Sequence, residues 1–282
     1  MRKLIALTLL AALLLTACSG ISISDAKTGP LQTATIAVPA PDADAADVTL
    51  RFGASNRFRL QPGASGLVDG TVQYNVDLFK PIVTTSGSGV TIEQRPNDMT
   101  VTNNMRNEWE LRLSDSIPMT LNVEAGAYKG EYDLGGLRLR NLSVSQGAAD
   151  STYDFSEANP DQMDDLTFKS GASSAKLTNL ANANAAQMHF DIAAGSYTLD
   201  FGGALQRTVG VEVQGGASGL TIRVPSGTPT IVTIKGALNS ADVDGFTGIG
   251  DRQYANASWD ESQPHIAITV DSALGSVKLQ SN

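Results

Sequence analysis

The sequence predicts an all-β fold, a repetitive β-solenoid of units about 20–24 residues long, of the kind called a single-stranded β-helix. Three observations predict it. A phrase of alternating apolar residues, broken by a glycine corner, returns along the chain, most plainly as VEVQGGASGLTIRV at Val211–Val224. The corner glycines Gly126, Gly147, Gly171, Gly195, Gly216 and Gly236 follow one another at 21, 24, 24, 21 and 20 residues. Beyond the N-terminal segment, no stretch sustains the i, i+3, i+4, i+7 spacing of an amphipathic helix. An elongated antiparallel β-sandwich fits the same alternation. The solenoid is favoured because the corners are long for tight hairpins and the period is steady.

The chain opens MRKLIALTLLAALLLTACSG. Arg2 and Lys3 precede an apolar stretch of 12 residues, Leu4–Leu15. That length suits the apolar region of a secretory signal and falls short of the roughly 20 residues of a membrane-spanning helix. Leu15-Thr16-Ala17-Cys18 then resembles a bacterial lipobox, with cleavage between Ala17 and Cys18 and lipid carried on the Cys18 thiol. Cys18 is the only cysteine, so no intrachain disulfide can form. The expected organisation is a signal peptide at 1–17, a lipidated Cys18 with a flexible linker at 18–45, and a solenoid domain at 46–282. The Ser, Thr, Ala, Asp and Pro of residues 19–45 suggest a tether. Cleavage would leave 18 basic and 29 acidic residues, a formal charge of −11. An acidic body argues against nucleic acid and against lying flat on anionic lipid. The expected address is therefore extracytoplasmic and membrane-anchored, as a bacterial lipoprotein.

The units follow in order. VTLRFGASNRFRL (Val48–Leu60) carries the phrase around Gly53. LNVEAGAYKGEYDL, LSVSQGAADSTYDF, LTFKSGASSAKL and MHFDIAAGSYTLDF repeat it between Leu121 and Phe201. IVTIKGALNSADV (Ile231–Val243) and a worn copy, IAITVDSALGSVKL (Ile266–Leu279), close the chain. Each unit reads as two short strands around a corner, with alternate side chains buried. In Val211–Val224 the pattern turns Val211, Val213, Leu220, Ile222 and Val224 inward and Glu212, Thr221 and Arg223 outward. A single unit cannot bury its apolar face, so the units must stack. Short helical turns are expected only within residues 156–166 and 177–187.

The stretch WELRLSDSIPMTLNVEAGAYKGEYDLGGLRLRNLSVSQGAAD (Trp109–Asp150) resembles the toastrack domains of the cell-wall-active antibiotic response (LiaF-like) proteins and their adhesin-like relatives. The resemblance rests on Trp109, Pro118, the corners Gly126-Ala127 and Gly147-Ala148, and the Leu-rich Leu134–Leu142. It extends over about Val48–Leu279. It implies a non-enzymatic envelope protein linked to envelope stress or adhesion. LiaF-like proteins usually carry several membrane helices, where this chain has a lipobox and a linker.

Few residues suggest chemistry. His189 and His265 are the only histidines, and two lone histidines do not make a metal site. The acidic run DFSEANPDQMDD holds Asp154, Glu157, Asp161, Asp164 and Asp165. Clustered carboxylates could serve a carbohydrate enzyme on a β-helix, although a solvated loop is the simpler expectation. Asp242, Asp244 and Gly245 resemble the start of a calcium loop, but no late Glu follows. Trp109 and Trp259 could stack on a sugar ring, or plug the core. The expectation is thus no catalytic residue, no metal and no cofactor, with an envelope protein or glycan as partner. The alternatives are a polysaccharide-active enzyme using the loop carboxylates and a self-assembling structural spacer.

Overall fold

Alternating burial governs the backbone of the computed structural model, which describes residues 28–94, 104–236 and 240–282. The expected signal peptide and Cys18 lie outside the described residues. Along the chain the strands are β1 (Gln32–Val38), β2 (Ala46–Pro62), β3 (Val68–Tyr74), β4 (Ile82–Ser86), β5 (Gly89–Glu93), β6 (Asn107–Leu113), β7 (Met119–Asp133), β8 (Leu139–Asp154) and β9 (Met163–Ser170). They continue as β10 (Ser173–Thr178), β11 (Ala185–Ile192), β12 (Gly195–Asp200), β13 (Val209–Val224), β14 (Thr230–Gly236), β15 (Ser240–Asp244), β16 (Phe246–Gly250), β17 (Gln253–Asn256) and β18 (Ile266–Ser281).

These strands stack in parallel as the levels of a β-solenoid. In spatial order the levels are β5 with β6, β2, β7, β8, β9 with β10, β11 with β12, β13, β18, and β14 with β15. At about 4.8 Å between strands, the eight steps between those nine levels make a stack about 38 Å tall. Antiparallel pairing is confined to the two ends. There β3 joins β6 and β1, β4 joins β5, and β17 joins β14 and β16. The parallel register settles the choice between the two expected folds in favour of the solenoid.

The inward positions predicted for β13 are buried, and equivalent positions on every level line one core running the length of the stack. Rings fill its first half: Phe52, Phe58, Trp109, Tyr128, Tyr132 and Tyr153 are in mutual contact, and the series reaches Phe168 and Phe190. Beyond them the core turns aliphatic, with Val211, Val213, Ile266, Ile268 and Val270.

The corners also stack. Gly53, Gly126, Gly147 and Gly171 form a column in which each backbone lies against the next. A Cβ on Gly126 would collide with the Gly53 carbonyl oxygen, and one on Gly147 or Gly171 would come within 2.9 or 2.6 Å of its neighbour's oxygen. The register then departs from the sequence spacing. Ile192 aligns with both Ser170 and Gly215, so Ala193 and Gly216 continue the column. Gly195 stands two residues further on, between Ser173 and Ser218. Gly236 aligns with Ser272, because β18 and not β13 is the neighbour of β14.

Two other expectations need correction. The tether expected to reach residue 45 contains β1, which pairs with β3 through Gln32–Val38 and buries Ile36 and Val38, so the folded part starts well before Ala46. Of the two expected helical turns, residues 177–187 hold a short 3-10 turn at Leu180–Ala183, whereas residues 156–166 hold a loop running into β9. Asn179 and Asn184 bracket that 3-10 turn in the left-handed conformation, which Asn tolerates better than most residues.

Candidate functional site

Parallel stacking converts the outward residues of each strand into ladders across the stack. Before the glycine corners, Thr49, Asn122, Ser143, Thr167, His189 and Glu212 stand side by side on six successive levels. Beside them Arg51 lies between Glu93 and Glu124, bonded to the latter by two hydrogen bonds of 3.0 and 3.2 Å. The small side chains of Gly126, Ser143 and Ser145 leave a shallow groove of about 620 Å³ between the Arg51–Glu124 pair and Lys169. After the corners, Glu110, Arg59, Glu131, Thr152 and Lys176 make a ladder that alternates in charge near its start. A second groove of about 480 Å³ runs past Arg59, Glu110, Arg112 and Asp69 to Thr35 and Thr71 on the end strands. Both grooves offer paired charges and hydroxyls on a stiff frame. That chemistry suits recognition by hydrogen bonding. Neither groove joins a nucleophile to a base.

The sequence-derived candidates separate in space. Trp109 cannot stack on a ligand, a correction to that expectation. It is fully buried, lies tilted against Phe52 and Phe58, and donates its indole N–H to Asn107 Oδ1 at 3.0 Å. Trp259 sits half-buried in the loop before β18, with the His265 ring edge-on at 5.0 Å. Nearby Asp260 is held below the usual carboxylate range by the Ser262 hydroxyl and amide. His189 faces outward as expected, between Asp165 at 3.8 Å and Glu212 at 3.4 Å on the adjoining levels.

The acidic run is dispersed by its own strand alternation. Asp154 accepts hydrogen bonds from Thr178 and Asn179 at the end of β8. Asp161 Oδ1 accepts two hydrogen bonds from Arg138, while Oδ2 is buried without a hydrogen bond, 3.9 Å from Arg140 Nε. Asp164 and Asp165 lie exposed on β9. Asp242 pairs with Lys278 across β15 and β18. Among the described residues no group of three or more His, Cys, Asp or Glu side chains is placed to hold a metal ion.

Two buried polar clusters escaped the sequence reading. The Tyr128 and Tyr153 hydroxyls lie 2.8 Å apart and both donate to Gln146 Oε1, while Tyr132 donates to Tyr128. Gln146 also donates to Ser170. Burial pushes the pKa of all three phenols above the ordinary tyrosine range, furthest for Tyr132 and Tyr153. Near the first level, Gln94 and Asn107 exchange two amide hydrogen bonds of 2.8 Å. Each cluster satisfies polar atoms inside the apolar core, which makes it structural. Nothing in the spacing of these residues announces it, because they meet only across levels.

Known proteins add the family. The family described as the N-terminal domain of toast_rack, DUF2154, matches residues 27–165. Over those residues the chain is similar to that family, as the resemblance of Trp109–Asp150 implied. Its match begins ahead of β1, in agreement with the early start of the fold. A solved structure of a candidate cell adhesion protein from Clostridium sporogenes ATCC 15579 superposes with a TM-score of 0.53 at 17% identity, over 90% of this chain and 100% of the other. A candidate adhesin from Bacteroides fragilis NCTC 9343 aligns at 13% identity over 89% of this chain and 97% of the other, with a TM-score of 0.47. The first of these shares the fold. No curated protein matches the chain. No helix among the described residues is long and apolar enough to cross a membrane.

Proposed function

We propose that the chain is a non-enzymatic, lipid-anchored protein of the bacterial cell envelope that presents its ladders to an envelope partner, a protein or a glycan. The observation that carries this reading is the groove between Arg51–Glu124 and Lys169, floored by Ser143, Ser145 and Gly126. Hydroxyls and fixed ion pairs repeat there at the strand spacing and match a polar, extended ligand. The description of the Clostridium protein as a candidate in cell adhesion agrees with such a surface. Anchoring rests on the signal-like start and on Cys18, the only thiol in the chain. The engagement of Asp154 and Asp161 with neighbouring side chains favours binding over hydrolysis.

The test is binding of the soluble body to a panel of envelope glycans and peptidoglycan fragments, with product analysis of the same samples. Saturable binding without turnover, weakened at least tenfold by Arg51→Ala with Lys169→Ala, is the expected result. Turnover would overturn the reading.

A further inference from the structure

The large apolar side chains that stand exposed among the described residues are Leu31, Leu78, Ile82, Val83 and Ile249. Four of the five share one end of the stack. Gly29 N donates to the Asn75 carbonyl at 2.7 Å and Gln32 Nε2 to Asp77 Oδ1 at 3.2 Å, which places Leu31 beside the 3-10 turn Asp77–Phe79 that carries Leu78. Ile82 and Val83 begin β4 three residues after that turn. β4 is exposed along its whole length, contains no charged residue, and pairs only with β5 among the described residues. Its first two side chains point to opposite faces. Val83 lies across from the buried Ile92, and Ile82 across from Glu93. The end of the stack therefore projects an edge that is apolar on both sides, with the exposed Lys80 between Leu78 and Ile82.

The residues that precede Thr28 join the fold at this same end, where Gly29 bonds to Asn75. Cys18 precedes Thr28 by ten residues, which can span at most about 35 Å. We infer that the end formed by Leu31, Leu78, Ile82 and Val83 rests on the surface of the lipid bilayer, and that the stack stands away from it with β16 outermost. This inference builds on the lipid anchor proposed above. Four side chains are too few to bring the protein to a membrane from free solution. A tether on the same end makes their contact intramolecular, so a weak contact suffices. The free N–H and C=O groups of the β4 edge need water or headgroups, which fixes the seat in the interfacial layer above the hydrocarbon. Lys80 can there meet a lipid phosphate.

The experiment uses the full chain with its lipid, in vesicles of phosphatidylcholine and phosphatidylglycerol doped with spin-labelled lipid. Val83→Cys and Ile249→Cys each carry a fluorescent label, since a lipidated Cys18 offers no competing thiol. Quenching several-fold stronger at position 83 than at 249 is expected. A Leu78→Cys label should be quenched as strongly as one at 83, and its quenching should fall to the level of position 249 in an Ile82→Ser, Val83→Ser background. These positions are exposed, so the fold should tolerate the changes. Equal, weak quenching at both ends, with diacylglycerol found on Cys18 and the protein floating with the vesicles, would overturn this inference and leave the anchor intact. Energy transfer between labels at 83 and 249 on different copies would overturn it in favour of end-to-end association. Absence of lipid on Cys18 would take down the anchor and the inference together.

Discussion

The levels from β2 to β9 and those from β11 to β18 use the same glycine-bearing phrase for different physical reasons. In the first group the Gly126 backbone has unremarkable angles, and its side chain is forbidden by the carbonyl of the level beside it. In the second group Gly195 and Gly275 have φ near +146° and +144°, a conformation that residues with a Cβ resist, and each packs against a serine carbonyl. Gly216, in the column of the first group, has its nearest obstacle 3.9 Å away. The cores differ too, with rings reaching as far as Phe190 and Tyr197 on the β11–β12 level and Val and Ile taking over from β13 to β18. A repeated letter therefore marks a repeated corner, but not a repeated constraint.

The largest effect should come from the ringed half. Trp109→Ala removes a fully buried ring packed on Phe52 and Phe58 and should cost about 3–5 kcal/mol in urea or guanidinium unfolding. Val270→Ala in the aliphatic half should cost less. If the two costs are equal, the rings contribute no more per site than the Val and Ile packing, and the contrast between the halves fails. Gly126→Ala should come next, at about 1–3 kcal/mol, because two levels must separate to admit the methyl group. Gly216→Ala should be neutral, or stabilise by up to about 1 kcal/mol through the unfolded chain. This pair tests the contrast most directly, since both glycines occupy one column.

Tyr153→Phe should cost about 1–3 kcal/mol, because Tyr128 and Gln146 lose a buried partner. The same cluster sets an alkaline limit. Tyr132 and Tyr153 hold their protons more tightly folded than unfolded, so their contribution is intact below the ordinary phenol value near 10 and is lost as pH rises above it. Unfolding midpoints measured from about pH 9 upward should fall, and fall less in a Tyr132→Phe, Tyr153→Phe double variant. The smallest effect belongs to Arg59→Ala. It breaks an exposed pair with Glu131 and should cost under about 1 kcal/mol, shrinking further in salt.

Much of the stack was readable from the chain because alternation and period are local. The inward set of β13, the corner column from Gly53 to Gly171 and the outward His189 all follow from neighbours in sequence. The offset of Gly195 did not show, since a two-residue slip changes the spacing by no more than the natural variation in loop length. β1 was hidden in a stretch whose Pro, Asp and Ala content reads as linker. Its strand exists because β3 offers an antiparallel edge that only the folded body creates. The candidate surface was less legible. Trp109 has the same alternation whether it faces a sugar or a core, and burial decided it. The ladder Thr49, Asn122, Ser143, Thr167 has no signature in any one segment, because its members meet only after stacking.

The two ends of the stack share a further property. β2 lies inside β5 with β6, although it precedes them in the chain, and β18 lies inside β14 with β15, although it follows them. In a chain that emerges N-terminus first, the outer level of β14 and β15 thus appears before the strand that connects it to the rest, and it has no parallel partner until Ile266–Ser281 arrives. Assembly must finish like a keystone dropped between courses already laid. A peptide of the β18 sequence supplied in trans is thus a natural competitor during folding, and a poor one once the slot is filled.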